Sequence, residues 1–274
     1  MADNNKKKIV LITGGNTGIG YETVKALLQS SQAYLVLMGS RSLEKAKAAI
    51  EQLKTEVPQT ASSVEALQID VASDESIEKA FETVKASYGH IDSLINNAGG
   101  SYDHERKEGK LTLREAWNKT FDVNVSGTYV MTHVFLPLLI QSADPRLLFI
   151  TSGLSSLTRT RDQFYPLTTP PAAGWPKKAG ELPNDHTAYR SSKTALNMMM
   201  LNLRFLLSED GVKTWSVSPG FLATGLANAG AGNLKTMGAG HPSIGGNFIR
   251  DVVEGKRDTD EGMVVFNDGS VQPW

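Results

Sequence analysis

Cysteine is absent from this 274-residue chain. That absence removes disulfides, thiolate metal sites and cysteine nucleophiles together, and it suits a reducing compartment. An excess of one charge is missing as well. The 28 Lys+Arg are balanced by 29 Asp+Glu, for a formal net charge of -1, so neither nucleic acid nor an anionic membrane surface is the expected partner. No apolar run approaches the ~20 residues that a membrane helix needs, and the first one, Ile9–Ile12, is too short for a signal-peptide core. The five histidines, His90, His104, His133, His186 and His241, have no metal-site spacing, so no metal is expected. No linker, repeat or charge block beyond Lys6–Lys8 divides the chain. The expectation is a cytosolic protein with one domain, 1–274.

What is present is an alternation of short apolar runs with longer amphipathic ones. Ile9–Thr13, Tyr34–Met38, Ala66–Ile69, Ile91–Ile95, Leu147–Thr151, Val212–Val217 and Met263–Phe266 read as strands. Between them, helices are expected over about Gly18–Gln29, Ser42–Glu56, Ser73–Tyr88, Leu111–Gln141 and His186–Ser208, with a last one near Ile249–Glu254. Strand–helix repeats need parallel strands with helical crossovers, and uniformly apolar strands are buried on both faces. The pattern predicts a doubly wound α/β (Rossmann) sheet whose ligand sits at the carboxyl ends of the strands. Two stretches break the rhythm. Residues 158–186 carry Pro166, Pro170, Pro171, Pro176 and Pro183 with Phe164, Tyr165 and Trp175, and read as an inserted loop near the site. Residues 225–246 are glycine-rich.

Thr13-Gly14-Gly15-Asn16-Thr17-Gly18-Ile19-Gly20 follows the first strand and opens the first helix. Gly14 allows the tight turn, Gly18 lets backbone approach a pyrophosphate, and Gly20 lets the helix pack close to the sheet. The helix N-terminus supplies free N–H groups for phosphate. This context predicts a dinucleotide site. The spacing Gly-x-x-x-Gly-x-Gly is not the usual Gly-x-Gly-x-x-Gly.

That spacing, with the motifs that follow it in order, resembles the short-chain dehydrogenase/reductases over nearly the whole chain. Asn97, Ala98 and Gly99 in Asn96-Asn97-Ala98-Gly99 look like the family's adenine-side motif. Asp70, in Ile69-Asp70-Val71, looks like the residue that meets the adenine amino group. Pro219, Gly220, Leu222 and Thr224, in Pro219-Gly220-Phe221-Leu222-Ala223-Thr224, look like the turn that holds the nicotinamide carboxamide. Asn124, Ser152, Tyr189 and Lys193 look like the catalytic tetrad. The resemblance implies that Lys193 also holds the nicotinamide ribose, that Ser152 bonds the substrate oxygen, and that Asn124 anchors a water in a proton relay.

Tyr-x-x-x-Lys is weak alone, and Tyr21/Lys25 matches it too. Only Tyr189/Lys193 follows the fifth strand, beside the expected crevice. Reduction of a carbonyl builds negative charge on oxygen and needs a proton, which Tyr189 can supply as general acid. Lys193, one helical turn away, together with the charge of an oxidised nicotinamide, is expected to lower the tyrosine pKa from its usual ~10. Ser152 ends the fifth strand, whereas Ser155 and Ser156 read as ordinary loop polarity. At the end of the second strand, Ser40 stands where NAD-selective relatives carry Asp, and Arg41 can pair with a 2′-phosphate. The cofactor expected is NADP(H).

The function expected is NADPH-dependent reduction of a ketone or aldehyde, with a small-molecule carbonyl substrate. The long span from Ser152 to Tyr189 resembles that of certain carbonyl reductases. The alternatives are a catalytically inactive dinucleotide-binding regulator and an alcohol dehydrogenase working in the oxidative direction. The insertion is expected to cover part of the site and the apolar flank of the Tyr189 helix, which favours a monomer over a dimer.

Overall fold

Seven apolar runs become parallel strands: β1 (Lys8–Ile12), β2 (Tyr34–Ser40), β3 (Ser63–Gln68), β4 (Ser93–Asn96), β5 (Arg146–Ile150), β6 (Lys213–Ser218) and β7 (Val264–Phe266). We describe them from a computed structural model, over residues 7–163, 170–177, 186–226 and 231–274. The strands form one sheet in the order β3-β2-β1-β4-β5-β6-β7. The winding reverses between β1 and β4, which pair through Ile12 and Ile95. A reversal of this kind opens a crevice at the carboxyl ends of those two strands.

The helices are α1 (Gly18–Leu28), α2 (Leu43–Glu56), α3 (Asp74–Tyr88), α4 (Asp103–Lys107), α5 (Leu113–Phe121), α6 (Gly127–Leu139), α7 (Leu157–Gln163), α8 (Thr187–Leu206), α9 (Ala231–Thr236) and α10 (Pro242–Val253). Successive strand residues point to opposite faces, and both faces are buried. Ile9 and Leu11 pack with Ile77 of α3, Phe135 of α6 and Leu196 of α8. Val10 and Ile12 pack with Val24 of α1, Leu53 of α2 and Ile249 of α10. Local chemistry sets the helix ends. Ser42 and Ser73 accept N-cap bonds, Gly89 closes α3 at φ 71, and Thr112 with Glu115 forms a capping box.

The structure departs from the expected elements at three places. Leu111–Gln141 is not one helix: α5 and α6 are joined by a π-helical turn, Asp122–Ser126. A Cβ on Gly127 would meet the Val71 carbonyl, so only glycine lets the backbone pass there. The final helix begins at Pro242, not near Ile249, because Gly245 and Gly246 are packing surfaces rather than breakers. A Cβ on Gly245 would press on Leu222 and Pro219, and one on Gly246 would meet the backbone of Glu22 in α1.

The third place is the segment 158–186, which opens as helix α7 rather than as loop. Phe164, Tyr165, Pro166 and Pro183 lie outside the described residues. Trp175 is 86% exposed and supplies no buried area. Met198, Phe205 and Leu206 of α8 are exposed too, so the described part of the segment does not cover that flank.

Candidate active site

The crevice floor is the glycine loop, pinned from β4. Thr13 Oγ1 accepts from the backbone N–H of Asn97 at 3.0 Å and of Ala98 at 2.9 Å. Asn97 Nδ2 donates to the carbonyls of Thr13 (2.8 Å) and Gly14 (3.2 Å). The Asn97 amide therefore shapes the loop. Gly14 has φ 65, and a Cβ on Gly20 would collide with the Gly14 carbonyl, so α1 crosses the loop backbone directly. Thr17 caps α1 without a side-chain bond, and the first turn of α1 holds no acidic residue. An open helix N-terminus behind a glycine-rich cradle fits a diphosphate. Asn16 and Ile19 are half-buried and Thr17 exposed. Across the loop, a Cβ on Gly18 would lie 3.7 Å from Thr224. Pro219 and Leu222 are buried, and Gly220 has φ 98 where a Cβ would press on Asn267. The two candidate cofactor segments, after β1 and after β6, thus face each other.

Towards β2, Ser40 is buried, and its hydroxyl donates to the Ser42 carbonyl at 3.1 Å. Arg41 is exposed, and its guanidinium has no ion-pair partner among the described residues. Asp70 is half-buried and accepts from the Ala72 N–H at 3.1 Å, while Val71 is buried. Tyr102 feels the charge of both Arg41 and Asp70. Burial raises its phenol pKa, with Arg41 opposing that rise and Asp70 adding to it.

Asn124, Ser152, Tyr189 and Lys193 come together from separate parts of the chain. Asn124 sits on the π turn, almost fully buried. Its Oδ1 accepts from the Gly100 N–H (2.7 Å), and its Nδ2 donates to the Gly100 carbonyl (2.8 Å) and Ser192 Oγ (2.9 Å). Both amide N–H groups are committed and Oδ1 has one lone pair left, so a relay water could meet only that lone pair or the main chain of Asn124. Ser192 Oγ passes the connection on to the Tyr189 carbonyl at 2.7 Å. Ser152 caps a short 3-10 turn, and its Oγ accepts from the Leu154 N–H at 3.2 Å. The Tyr189 phenol is close enough to this hydroxyl for Ser152 to lower its pKa. Lys193 is 5% exposed, and its Nζ donates to the Ile150 carbonyl at 2.7 Å, beside Gly99.

The electrostatics differ from the expected depression of the tyrosine pKa. Burial pushes the Tyr189 phenol up to about 12, against nearby Ser152, which lowers it. Burial also brings the Lys193 ammonium down to about 8. Lys193 is turned to a neutral carbonyl, 5.8 Å from the tyrosine ring centre. Desolvation sets the direction at both groups, and no charge effect of one on the other accompanies it. The other Tyr-x-x-x-Lys match faces elsewhere. Lys25 pairs with Glu56 of α2 at 2.7 Å, and burial together with Glu56 raises the Tyr21 phenol pKa.

Three polar residues absent from the expected set are buried here. Ser155, read as loop polarity, donates to the Ser152 carbonyl at 2.7 Å and accepts from Asn197 and Gln272. Gln272, near the C-terminus, also reaches the Ser152 carbonyl at 3.3 Å. Asp103 meets the start of α8. None had a signal in sequence spacing, because each bond spans distant segments or a non-periodic loop. Ser156 is likewise buried, its hydroxyl on the Trp274 carbonyl.

A doubly wound parallel sheet with a glycine cradle at its switch point defines a dinucleotide-binding α/β protein. The model of the short chain dehydrogenase family matches residues 8–166. The chain is 48% identical over 268 residues to the short-chain dehydrogenase/reductase tropE of Talaromyces stipitatus, covering 98% of each. It is 45% identical over 276 residues to the short-chain dehydrogenase/reductase eupG of a Phoma species, again covering 98% of each. Among solved structures, the NADPH-bound carbonyl reductase from chicken fatty liver aligns with a TM-score of 0.78 at 22% identity, covering 98% of this chain and 100% of that one. The chain belongs to the short-chain dehydrogenase/reductase family of oxidoreductases.

Proposed function

We propose that the protein reduces a ketone or aldehyde to an alcohol with NADPH, using Tyr189 as the proton donor. The observation that carries this reading is buried Tyr189 beside Ser152, with buried Lys193 one helical turn on and against Gly99. The residues of the glycine cradle, Asn97–Gly99 and Pro219–Thr224 fit a dinucleotide, and when bound its reduced nicotinamide supplies the hydride. Ser152 Oγ bonds the substrate oxygen and sets it beside the phenol. Tyr189, held protonated by burial, gives its proton to that oxygen as negative charge develops there. Lys193 keeps a positive charge near the phenol as the proton leaves, and the Ile150 carbonyl fixes its Nζ. The four side chains argue against an inactive binder, since such a protein would need none of them aligned.

Support for NADPH over NADH comes from the end of β2. No carboxylate stands there, Ser40 spends its hydroxyl on its own turn, and Arg41 is an exposed cation suited to a phosphate. The solved carbonyl reductase named above is NADPH-bound, which favours the same reading. The described start of the segment 158–186 meets the helix that carries Tyr189. Arg190, next to Tyr189, donates to Thr160 Oγ1 of α7 at 2.5 Å and to the Leu154 carbonyl at 3.3 Å. Deleting the segment should alter substrate preference more than NADPH binding.

The test is consumption of NADPH and of NADH with a panel of ketones and aldehydes, followed at the nicotinamide absorbance. Turnover of at least one carbonyl with NADPH preferred is expected. No turnover across aliphatic and aromatic carbonyls, or a preference for NADH, would overturn the proposal.

A further inference from the structure

Asp103 belongs to none of the motifs above, yet it is only 2% exposed and touches the helix that carries Tyr189. Its Oδ1 accepts from the Ala188 N–H at 3.3 Å and its Oδ2 from the Tyr189 N–H at 3.1 Å. Ser101 Oγ completes the set at 3.4 Å from Oδ2. Ala188 and Tyr189 are the second and third residues of α8, whose N–H groups have no acceptor within the helix. An N-cap side chain normally satisfies such groups. The capping residue here, His186, makes no side-chain cap bond. A carboxylate 85 residues earlier in the chain takes that place. Its negative charge suits the positive end of a helix, and its bonds to N–H are of the stronger, charge-assisted kind.

The loop that delivers Asp103 leaves β4 and passes the other site residues in order. Gly99 lies against Lys193 Nζ, and Gly100 exchanges two bonds with Asn124. Asp103 then holds the backbone of Tyr189. A single short stretch of chain therefore touches three of the four candidate catalytic residues. Tyr189 is in the first turn of α8, where an uncapped helix frays first, and fraying there would move the phenol away from Ser152.

We propose that Asp103 is the positioning residue for Tyr189: a buried carboxylate at the start of α4 that caps α8 and holds the tyrosine in place in the site. The proposal rests on the reading of Tyr189 as proton donor, and its test separates the two. Asp103→Ala should lower kcat about 10- to 100-fold with little change in KM for NADPH, since sub-ångström misplacement alone costs this much. Asp103→Asn keeps one acceptor oxygen and should recover most of the loss, remaining within about 10-fold of wild type. In a Tyr189→Phe background, Asp103→Ala should add nothing, because the two act as one unit. Amide exchange at Ala188 and Tyr189 should accelerate in Asp103→Ala while the strand amides keep their protection.

Wild-type kcat in both Asp103 variants, or losses that add to those of Tyr189→Phe, would overturn the proposal and leave Asp103 a purely structural group. If Asp103→Ala does not fold, Asp103→Asn is read by amide exchange, which should quicken at Ala188 or Tyr189 because one of the two N–H groups loses its acceptor, and unchanged exchange at both would overturn the proposal. An active Tyr189→Phe would instead sink the proton-donor reading, and the amide exchange would still report whether the cap exists.

Discussion

The two ends of the sheet treat buried charge in opposite ways. At the amino ends of β5 and β6, Arg146 is buried, yet Asp258 holds its guanidinium through two bonds of 2.7 and 2.9 Å. Asp144 adds a third bond at 3.0 Å, and Lys213 spans both carboxylates. Burial works against the charge of Arg146, but the two carboxylates more than offset it, so its pKa rises. Asp258 falls, chiefly through Arg146. At the carboxyl ends, Lys193 is as deeply buried, but its ammonium meets the neutral Ile150 carbonyl and the Tyr189 ring and no carboxylate among the described residues. There burial wins and the pKa drops to about 8. Paired charges stay ionised and tie strands together. An unpaired one is a group whose protonation is open to whatever binds beside it, and perturbed groups in a cleft mark functional sites.

The comparison breaks first at the paired end. Arg146→Met should cost about 3 kcal/mol or more, because it leaves two carboxylates facing one lysine. In thermal unfolding that is a fall of roughly 6–12 °C for a chain of this size. Activity per folded molecule should be unchanged. A loss of kcat without a loss of stability would show that the two ends are not separable. At the other end the expectation reverses. Tyr189→Phe should cut kcat by at least ~10²-fold, the general-acid contribution, with stability and NADPH affinity little altered. Tyr21→Phe is the control. Since Tyr21 faces Glu56, equal losses in both variants would remove the argument for choosing Tyr189.

The amino-end cluster and the site differ in how far each is legible in the residues alone. The strands are legible because each is a continuous apolar run, and β1 with its glycine loop carries a pattern tied to one geometry. The motif residues cluster because each sits just past a strand, where the fold gathers them. What is not legible depends on contacts between segments without periodicity. Asp103 lies in a polar stretch and acts on a backbone 85 residues away. The π turn at Asp122–Ser126 follows from Gly127 passing over Val71, which no local propensity encodes. Gly245 and Gly246 look like breakers because glycine punctuates loops; their helical role exists only against Pro219, Leu222 and Glu22. The Tyr189 pKa moves against its expected direction because residue spacing shows a neighbouring charge and not the burial that sets the shift.

Arg41 sharpens the comparison from outside the core, as an exposed cation at the carboxyl end without an ion-pair partner among the described residues. Arg41→Ala should weaken NADPH about 10- to 100-fold and leave NADH unaffected, the worth of a charge-assisted phosphate contact at ~1.5–3 kcal/mol. Ser40→Asp should move preference in the same direction. Binding titrations with both cofactors decide it, and equal losses for the two would mean that Arg41 reads no phosphate.

The smallest effect is the most direct comparison of the two ends, and it concerns two lysines in the cofactor-free protein. Lys193 has its pKa depressed from 10.5 to about 8 by burial. Between those values the unfolded chain holds a proton that the folded chain has released, so stability rises with pH across that window. Below about pH 8 the penalty of the buried ammonium is present in full. Lys193→Met removes it, and every tenfold loss of proton affinity on folding is worth ~1.4 kcal/mol. Less the lost bond to Ile150, the variant should be of order 1–2 kcal/mol more stable than wild type at pH 7. That advantage should shrink as pH rises from 8 towards 10.5. Lys213 has its pKa raised by Asp258 and Asp144. Its stabilisation is complete below the unfolded value and is lost only as pH climbs through the higher folded value. Lys213→Met should therefore be less stable than wild type at pH 7, by up to about 1 kcal/mol for a partly exposed pair. Opposite signs in two thermal melts at pH 7, with Lys193→Met converging on wild type towards about pH 10, are the expected result. A fall in melting temperature for both variants would show that Lys193 is compensated after all, and the contrast between the two ends of the sheet would be gone.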